Sequence, residues 1–436
     1  MKQELQIRDH VKSSAADKIS DSNTSRKASG ISVTLLTGGG DRPYVYGLAT
    51  ELLSKHAVLD LIGSDYVDYP EFHVNPGMNF LNLRGDQNPN TSLINKVTRV
   101  AKYYARLIRY AVTAKPRIFH ILWNNKIEWF DRTLLMVFYK LLGKKIVLTV
   151  HNVNAGRRDS KDTFVNRLTL RTQYRLADHI FVHTKKMKFE LMEEFGVPQA
   201  RVTVIPFGIN NSVPNTALSS SEARRKLGIR PDEKTILFFG SINPYKGLEY
   251  IVAAFQQVIA RRADYRLFIV GRPNNCESYW ASVREVSRRE VDKGRITIRA
   301  DYIPDEETEL YFKAADVFVL PYRHIYQSGV LFLGYSFGLP VIAADVGALK
   351  EEIVEGKTGF VFKPEDPVDL AATIERYFAS ELFTNLSGRR EGIRDFALER
   401  HSWDEVGRLT MSVYSNLLRL AVSAELPNPE AAGTSQ

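Results

Sequence analysis

A single cysteine, Cys276, stands in 436 residues. That excludes an intrachain disulfide framework and any zinc site built on thiolates, and it suits a reducing cytoplasm. Long apolar runs are missing too. The longest, Leu134 to Gly143, is about ten residues and has Lys140 inside it, whereas a bilayer-spanning helix needs about 20. The first thirty residues hold no apolar segment of the kind a secretion signal carries. No dinucleotide fingerprint follows the first apolar run: counting from Gly38, the sixth position is Pro43 rather than glycine, so a nicotinamide site is excluded. Acidic residues are absent from Gln87 to Ile127, a segment with eight basic ones.

What is present is the composition of a folded protein with sizeable cores, 44% hydrophobic and 25% charged, with a net charge of +9. Short aliphatic runs alternate with longer helical periods. The first series is Ile31–Leu36, Val58–Ile62, Ile118–Leu122, Ile146–Val150, His179–His183 and Val202–Ile205. The second is Thr235–Phe239, Arg266–Val270, Ile296–Ala300, Val317–Leu320 and Val341–Ala344. Near-continuous apolar runs separated by ten or more residues predict parallel strands buried on both faces, with helical crossovers. The chain therefore reads as two doubly wound α/β halves, 30–210 and 234–402. A Ser- and Pro-rich linker at 211–233 joins them, with a short helix over Ser221–Leu227 capped by Ser221. An amphipathic helix over 403–422 is expected to cross back towards the first half. Residues 1–29 and 423–436 read as disordered tails.

Several positions carry chemistry. Gly38-Gly39-Gly40 follows the first strand and precedes a helix containing Pro43, a place where a backbone can approach an anion. As a bare turn the tract is equally well explained by structure. His151 follows the strand Ile146–Val150 directly, at the strand end where doubly wound folds place ligand groups. An imidazole there can donate to a sugar hydroxyl or a carbonyl. Lys246 sits near a helix start, where its charge opposes the helix dipole unless an anion lies between them. Gln327-Ser328-Gly329-Val330 reads as a helix opening with amides free for a phosphate, or as an ordinary capped helix. Glu355-Gly356-Lys357-Thr358 imitates a P-loop, but lacks its first glycine and precedes another strand, so it reads as a turn.

The segments FFGSINPYKGLEYIVAAF, LFIVGRP, DYIPDEETELYFKAADVFVLPY, QSGVLFLGYSFGLPVIAADVG and EGKTGFVF resemble the family 4 glycosyltransferases, retaining enzymes that use nucleotide sugars. Over roughly residues 31 to 421 the chain resembles the GT-B fold, two Rossmann-like doubly wound domains facing across a cleft. The resemblance implies an N-terminal acceptor half and a C-terminal donor half. It implies catalytic roles for His151, against the donor sugar, and Lys246, against the donor diphosphate. Gly39 and Gly40 would line the diphosphate from the N-terminal half, Gly240 and Asn243 would flank the lysine loop, and the amides of Ser328, Gly329 and Val330 would hold the distal phosphate. Gly271, Arg272, Tyr302 and Ile303 would lie near the base. No Asp-x-Asp follows a suitable strand, so no metal and no cofactor is expected, and no carboxylate pair suits a glycosidase.

Two departures stand out. Family members often carry two glutamates eight residues apart before and within the Gln327 helix, and here those positions are Ile325 and Leu333. The arginine that accompanies the lysine is also replaced, by Ser241 or Asn243, leaving Arg272, Arg42 or Arg157 as substitutes. The expected function is hexosyl transfer from a nucleoside-diphosphate sugar to a lipid-linked or polysaccharide acceptor. A non-catalytic GT-B scaffold and a sugar-nucleotide epimerase are the alternatives.

The eight cations between Gln87 and Ile127 account for nearly the whole net charge. Leu93 to Val112 reads as one helix with Lys96, Arg99, Lys102, Arg106 and Arg109 on one arc, Tyr103 and Tyr110 at its margin, and aliphatic residues opposite. A cationic stripe is often only a solvated face, but one without interspersed acids also suits contact with an anionic membrane surface, at the inner face of the cytoplasmic membrane. No base-stacking surface accompanies the charge, which argues against nucleic acid.

Overall fold

The computed structural model describes residues 30–88, 91–159 and 161–425, with side chains as far as Arg419. Apolar runs flanked by turn residues become thirteen strands in two parallel sheets. The first, ordered β3-β2-β1-β4-β5-β6-β7, comprises β1 (Ser32–Leu36), β2 (Val58–Gly63), β3 (Met78–Asn82), β4 (Ile118–Ile121), β5 (Lys145–Val150), β6 (His179–Val182) and β7 (Val202–Val204). The second, ordered β10-β9-β8-β11-β12-β13, comprises β8 (Lys234–Phe239), β9 (Tyr265–Val270), β10 (Ile296–Arg299), β11 (Val317–Leu320), β12 (Val341–Ala344) and β13 (Gly359–Phe362). Strands with helices on both faces must be apolar throughout, and β4, β11 and β12 are buried at every position.

One strand has no counterpart in the sequence reading. β3, MNFLN, is an edge strand with no fully buried position, paired only with β2. Its asparagines face outward, so it lacks the continuous apolar run that marks its neighbours. The linker helix is a second difference. It spans Ser220–Lys226 and is capped by Ser219, not Ser221. Glu222 stands three residues after Ser219, and their reciprocal capping box selects that serine from three in a row. The linker is also clamped: the Glu309 carboxylate accepts from the Thr216 amide and hydroxyl, both at 2.8 Å. Gly356 turns the chain at φ 72° into β13, as the turn reading of Glu355–Thr358 requires.

In each sheet the winding direction reverses once, between β1 and β4 and between β8 and β11. The carboxyl ends of strands at such reversals leave a crevice for ligands. After the second sheet, the helix Trp403–Glu425 returns to the first half. Trp403 donates to the Ile209 carbonyl at 2.8 Å, Lys55 pairs with Asp404 at 2.7 Å, and the Tyr414 hydroxyl meets His120 Nδ1 at 2.6 Å. No helix among the described residues is long and apolar enough to cross a membrane.

Candidate active site

The crevice of the first sheet is built on aromatic packing. Trp123 follows β4 and His151 follows β5, and their rings stack face to face with centroids 4.0 Å apart. Tyr44, from the helix Arg42–Ser54, meets His151 edge-on at 4.8 Å. This explains much of the glycine tract. A Cβ on Gly40 would lie 1.9 Å from the Trp123 ring, and one on Gly38 2.3 Å from the Trp123 carbonyl. Gly40, expected to line the diphosphate, is thus needed for the indole, whereas Gly39 remains exposed to the cleft.

The His151 ring is oriented by a relay. His183 Nδ1 faces the Ile205 carbonyl at 3.4 Å, and a carbonyl only accepts, so that nitrogen carries the hydrogen. His183 Nε2 is then an acceptor for His151 Nδ1–H at 3.0 Å. His151 Nε2 is left as a buried lone pair with no partner among the described residues. Burial, reinforced by the mutual repulsion of the two rings, holds His151 well below the usual imidazole range, and burial lowers His183 to about 4. Both rings are neutral at pH 7. In this tautomer Nε2 can accept a hydrogen bond from a hydroxyl, whereas the sequence reading makes the imidazole a donor. His151→Ala is expected to lower transfer about tenfold with nucleotide affinity retained, and the wild-type rate should show no inflection near pH 6.5 from this residue. Rate–pH profiles and nucleotide titrations of the two proteins check this.

In the second half, β8 and β9 end at Gly240 and Gly271, both with positive φ, 114° and 139°. A Cβ on Gly271 would lie 2.1 Å from the Gly240 carbonyl, so only glycine lets the two strand ends run side by side. Lys246 closes the short 3₁₀ turn Pro244–Lys246 and is 4% exposed. Its Nζ lies 2.9 Å from where a Gly240 Cβ would stand and 5.4 Å from the Tyr322 ring centre, with no hydrogen bond or ion pair from any described residue. Burial, the larger influence, lowers its pKa, and Arg158 lowers it further. The helix Gly329–Ser336 opens beside it. Val330 Cγ2 approaches the same Gly240 position at 3.6 Å, and the Ser328 hydroxyl turns to Tyr322 (3.3 Å) instead of capping the helix. An unpaired ammonium and uncapped helix amides converge on one spot, the arrangement an anion needs.

The other expected contacts are dispersed. Asn243 is half-buried and bonds to Ser241 (3.2 Å), and Arg272 is exposed. Ile303 belongs to the hydrophobic core, and only its backbone is free for a base. Tyr302 is exposed beside the Arg42–Asp305 bridge, whose 2.9 Å contact joins the two halves. That bridge engages Arg42, and Arg157 is held by Glu190 and Glu194, so neither stands as a free substitute for the family arginine. Arg158 does reach the lysine loop, lying over the Tyr245 ring at 4.5 Å, but it too is engaged, donating to both oxygens of its neighbour Asp159 at 2.7 and 3.0 Å. Leu333 and Ile325, at the glutamate positions, are apolar contacts in the cleft. A carboxylate does stand in the pocket lined by Ile325, but it comes from the opposite half: Glu190, bonded to Tyr326 at 2.6 Å.

The cationic helix spans Leu93–Thr113. Tyr103 and Tyr110 do not border its basic arc as surface anchors. Tyr103 is buried and donates to Asn125 (2.5 Å), and Tyr110 donates to Asp60 (2.6 Å). Phenol hydroxyls found polar partners inside, which turns the helix so that Leu93, Ile94, Val97 and Val112 are more than half exposed. Lys102, Arg106 and Arg109 face solvent, whereas Lys96 and Arg99 are half-buried and line a cavity.

Two family models match the chain: Glycosyltransferase Family 4 over residues 37–213 and Glycosyl transferases group 1 over 233–380. An uncharacterized glycosyltransferase of Methanocaldococcus jannaschii is 25% identical over 86% of this chain and 94% of its own. The D-inositol 3-phosphate glycosyltransferase of Corynebacterium diphtheriae is 24% identical over 78% and 81%. Among solved structures, sucrose-phosphate synthase from Thermosynechococcus elongatus superposes with a TM-score of 0.71 at 18% identity, over 89% of this chain and 99% of that one. The Anabaena protein HepE with UDP and glucose gives 0.69 at 16%, over 88% and 100%. With both halves matched in sequence and the two-sheet architecture matched in space, the chain is a glycosyltransferase of the GT-B fold, related to the group 1 and family 4 enzymes.

Proposed function

We propose that this enzyme is a retaining, metal-independent hexosyltransferase that moves a sugar from a nucleoside-diphosphate donor to a lipid-linked or polysaccharide acceptor at a membrane surface. The observation that carries the reading is Lys246, a buried ammonium with no anionic partner among the described residues, facing the uncapped amides of Gly329 and Val330. The donor C1–O bond breaks as the acceptor oxygen bonds to C1 on the same face, and the acceptor proton passes to the departing phosphate oxygen. Negative charge grows on the diphosphate in that step. A pre-oriented ammonium and helix amides in a water-poor pocket stabilise it without reorganising. The Trp123–His151 stack is a platform for the sugar, with His151 Nε2 accepting from one of its hydroxyls.

The similarity to the structure with UDP and glucose makes a UDP-hexose the first donor to test. Incubation of UDP-, GDP- and ADP-hexoses with membrane extract in EDTA should yield one product whose new linkage keeps the donor's anomeric configuration, read by proton NMR. An inverted linkage overturns the retaining assignment. Membrane contact rests on Lys102, Arg106 and Arg109 beside the exposed Leu93, Ile94, Val97 and Val112. Such cations are each worth about 1 kcal/mol at an anionic surface. Changing the three to glutamine should weaken co-sedimentation with phosphatidylglycerol vesicles at least tenfold, and unchanged sedimentation would leave the helix a solvated face.

A further inference from the structure

The cavity beneath the N-terminal end of the Leu93–Thr113 helix measures about 400 Å³, and four cations share its lining with the apolar surfaces of Val100, Tyr103 and Tyr104. Arg84, Lys96, Arg99 and Lys126 line it together with Gln87 and Tyr103. No ion pair links any of these four cations to a carboxylate among the described residues. The carboxylate whose charge Arg84 feels, Asp131, is taken up by the Tyr104 hydroxyl (2.9 Å) and by the Asn125 amide groups (2.9 and 3.1 Å). Arg84 is 6% exposed, its guanidinium lies 5.3 Å from the Tyr103 ring centre, and its Nη1 is buried without a hydrogen-bond partner. An orphaned guanidinium nitrogen is costly, and buried polar groups are nearly always paired. Four like charges around one hollow repel one another until an anion enters.

We propose that this cavity binds a phosphate or diphosphate group carried by the acceptor. The chemistry suits such a group: a planar guanidinium offers paired donors to phosphate oxygens, and the lysines add mobile point charges at its rim. The position suits an acceptor as well. The Arg84 Nη1 lies 3.6 Å from where a Cβ on Gly39 would stand, so the same side chain reaches from the cavity to the exposed glycine at the edge of the cleft. A phosphate seated here brings the rest of its molecule alongside the Trp123–His151 stack. The cationic helix accordingly has two jobs, with Lys96 and Arg99 turned into the cavity and Lys102, Arg106 and Arg109 turned to the surface. This inference rests on the transferase reading for the identity of the ligand as acceptor, but the binding site itself does not depend on it.

Inorganic pyrophosphate titrated into the full chain by calorimetry tests the site, with Arg84→Gln, the double variant Lys96→Gln/Lys126→Gln, and Lys246→Ala in parallel. Two pyrophosphate sites are expected in the wild type. Arg84→Gln should weaken one of them at least tenfold, and the double variant should weaken the same site while leaving UDP-hexose affinity unchanged, whereas Lys246→Ala should spare that site. The double variant alters only side chains at the cavity rim and keeps the test decisive if Arg84→Gln does not fold. Pyrophosphate binding indifferent to both cavity variants overturns the proposal. If UDP-hexoses fail to bind the wild type while the Arg84-dependent site persists, the transferase reading fails and the anion site stands. Vesicles of phosphatidylcholine with and without phosphatidic acid separate the sources. In a protein with Lys102, Arg106 and Arg109 already changed to glutamine, capture by phosphatidic acid that is lost with Arg84→Gln identifies a lipid-borne phosphate, and no capture with pyrophosphate binding retained identifies a soluble one.

Discussion

Lys246→Ala is expected to cut turnover by about 10²–10³-fold, the usual cost of removing one pre-oriented charge-stabilising donor. The side chain is 4% exposed and makes no ion pair with any described residue, so its removal breaks no structural bridge. The loss should fall on kcat and on diphosphate affinity together, since the ammonium meets charge both in the bound donor and in the departing group. The same residue gives the donor step a pH dependence. Burial holds the free enzyme's lysine below its ordinary 10.5, and an arriving diphosphate would raise it again by favouring the charged form. Between the lowered value and 10.5, binding therefore takes up a proton and affinity falls as pH rises. Without ligand the sign is reversed: the buried charge costs stability below the lowered value, and that cost is relieved as pH climbs towards 10.5. Calorimetry in buffers of different ionisation enthalpy reads the proton uptake directly, and it should vanish in Lys246→Ala.

Trp403→Ala should destabilise the protein by about 3–5 kcal/mol, the range for deleting a large buried aromatic. The indole fills space that only glycine leaves open: a Cβ on Gly47 or Gly208 would come within 2.1 or 2.2 Å of it. Its Nε1 satisfies the Ile209 carbonyl at 2.8 Å, and its ring meets Tyr44 at 5.3 Å. Tyr44 in turn meets His151, so the C-terminal helix and the Trp123–His151 stack share one packed cluster. Trp403→Phe keeps most of that volume and loses the hydrogen bond, at about 1 kcal/mol. Urea midpoints of the two variants measure the difference, and an unchanged midpoint for Trp403→Ala would remove the tryptophan as the joint between the helix and the first half.

The strands were legible because burial on both faces forces a continuous apolar run, which is why β11 and β12 end where the sequence says they do. β3 was not, because its exposed Asn79 and Asn82 interrupt the apolar run and no position of this edge strand is fully buried. The lysine loop was legible from the conflict between a cation and a helix start. The Arg158 contact was not, since it joins elements from opposite halves and has no local spacing to betray it. The glycine tract was half legible: a close approach was foreseeable, but not that an indole from β4's end, rather than a ligand, fills the space at Gly40. The tyrosines of the cationic helix misled because amphipathic counting treats a phenol as a boundary residue, and their hydroxyls met Asn125 and Asp60 in the interior.

The central claim is that Lys246 and the Gly329–Ser336 helix terminus form a diphosphate site that works without a metal. Calorimetric titration of UDP-glucose, GDP-mannose and ADP-glucose into the full chain in EDTA tests it most directly. One of these donors should bind the wild type, and the same donor should bind Lys246→Ala at least tenfold more weakly. Binding of equal strength to both proteins would contradict the claim, as would the absence of binding by every nucleotide sugar.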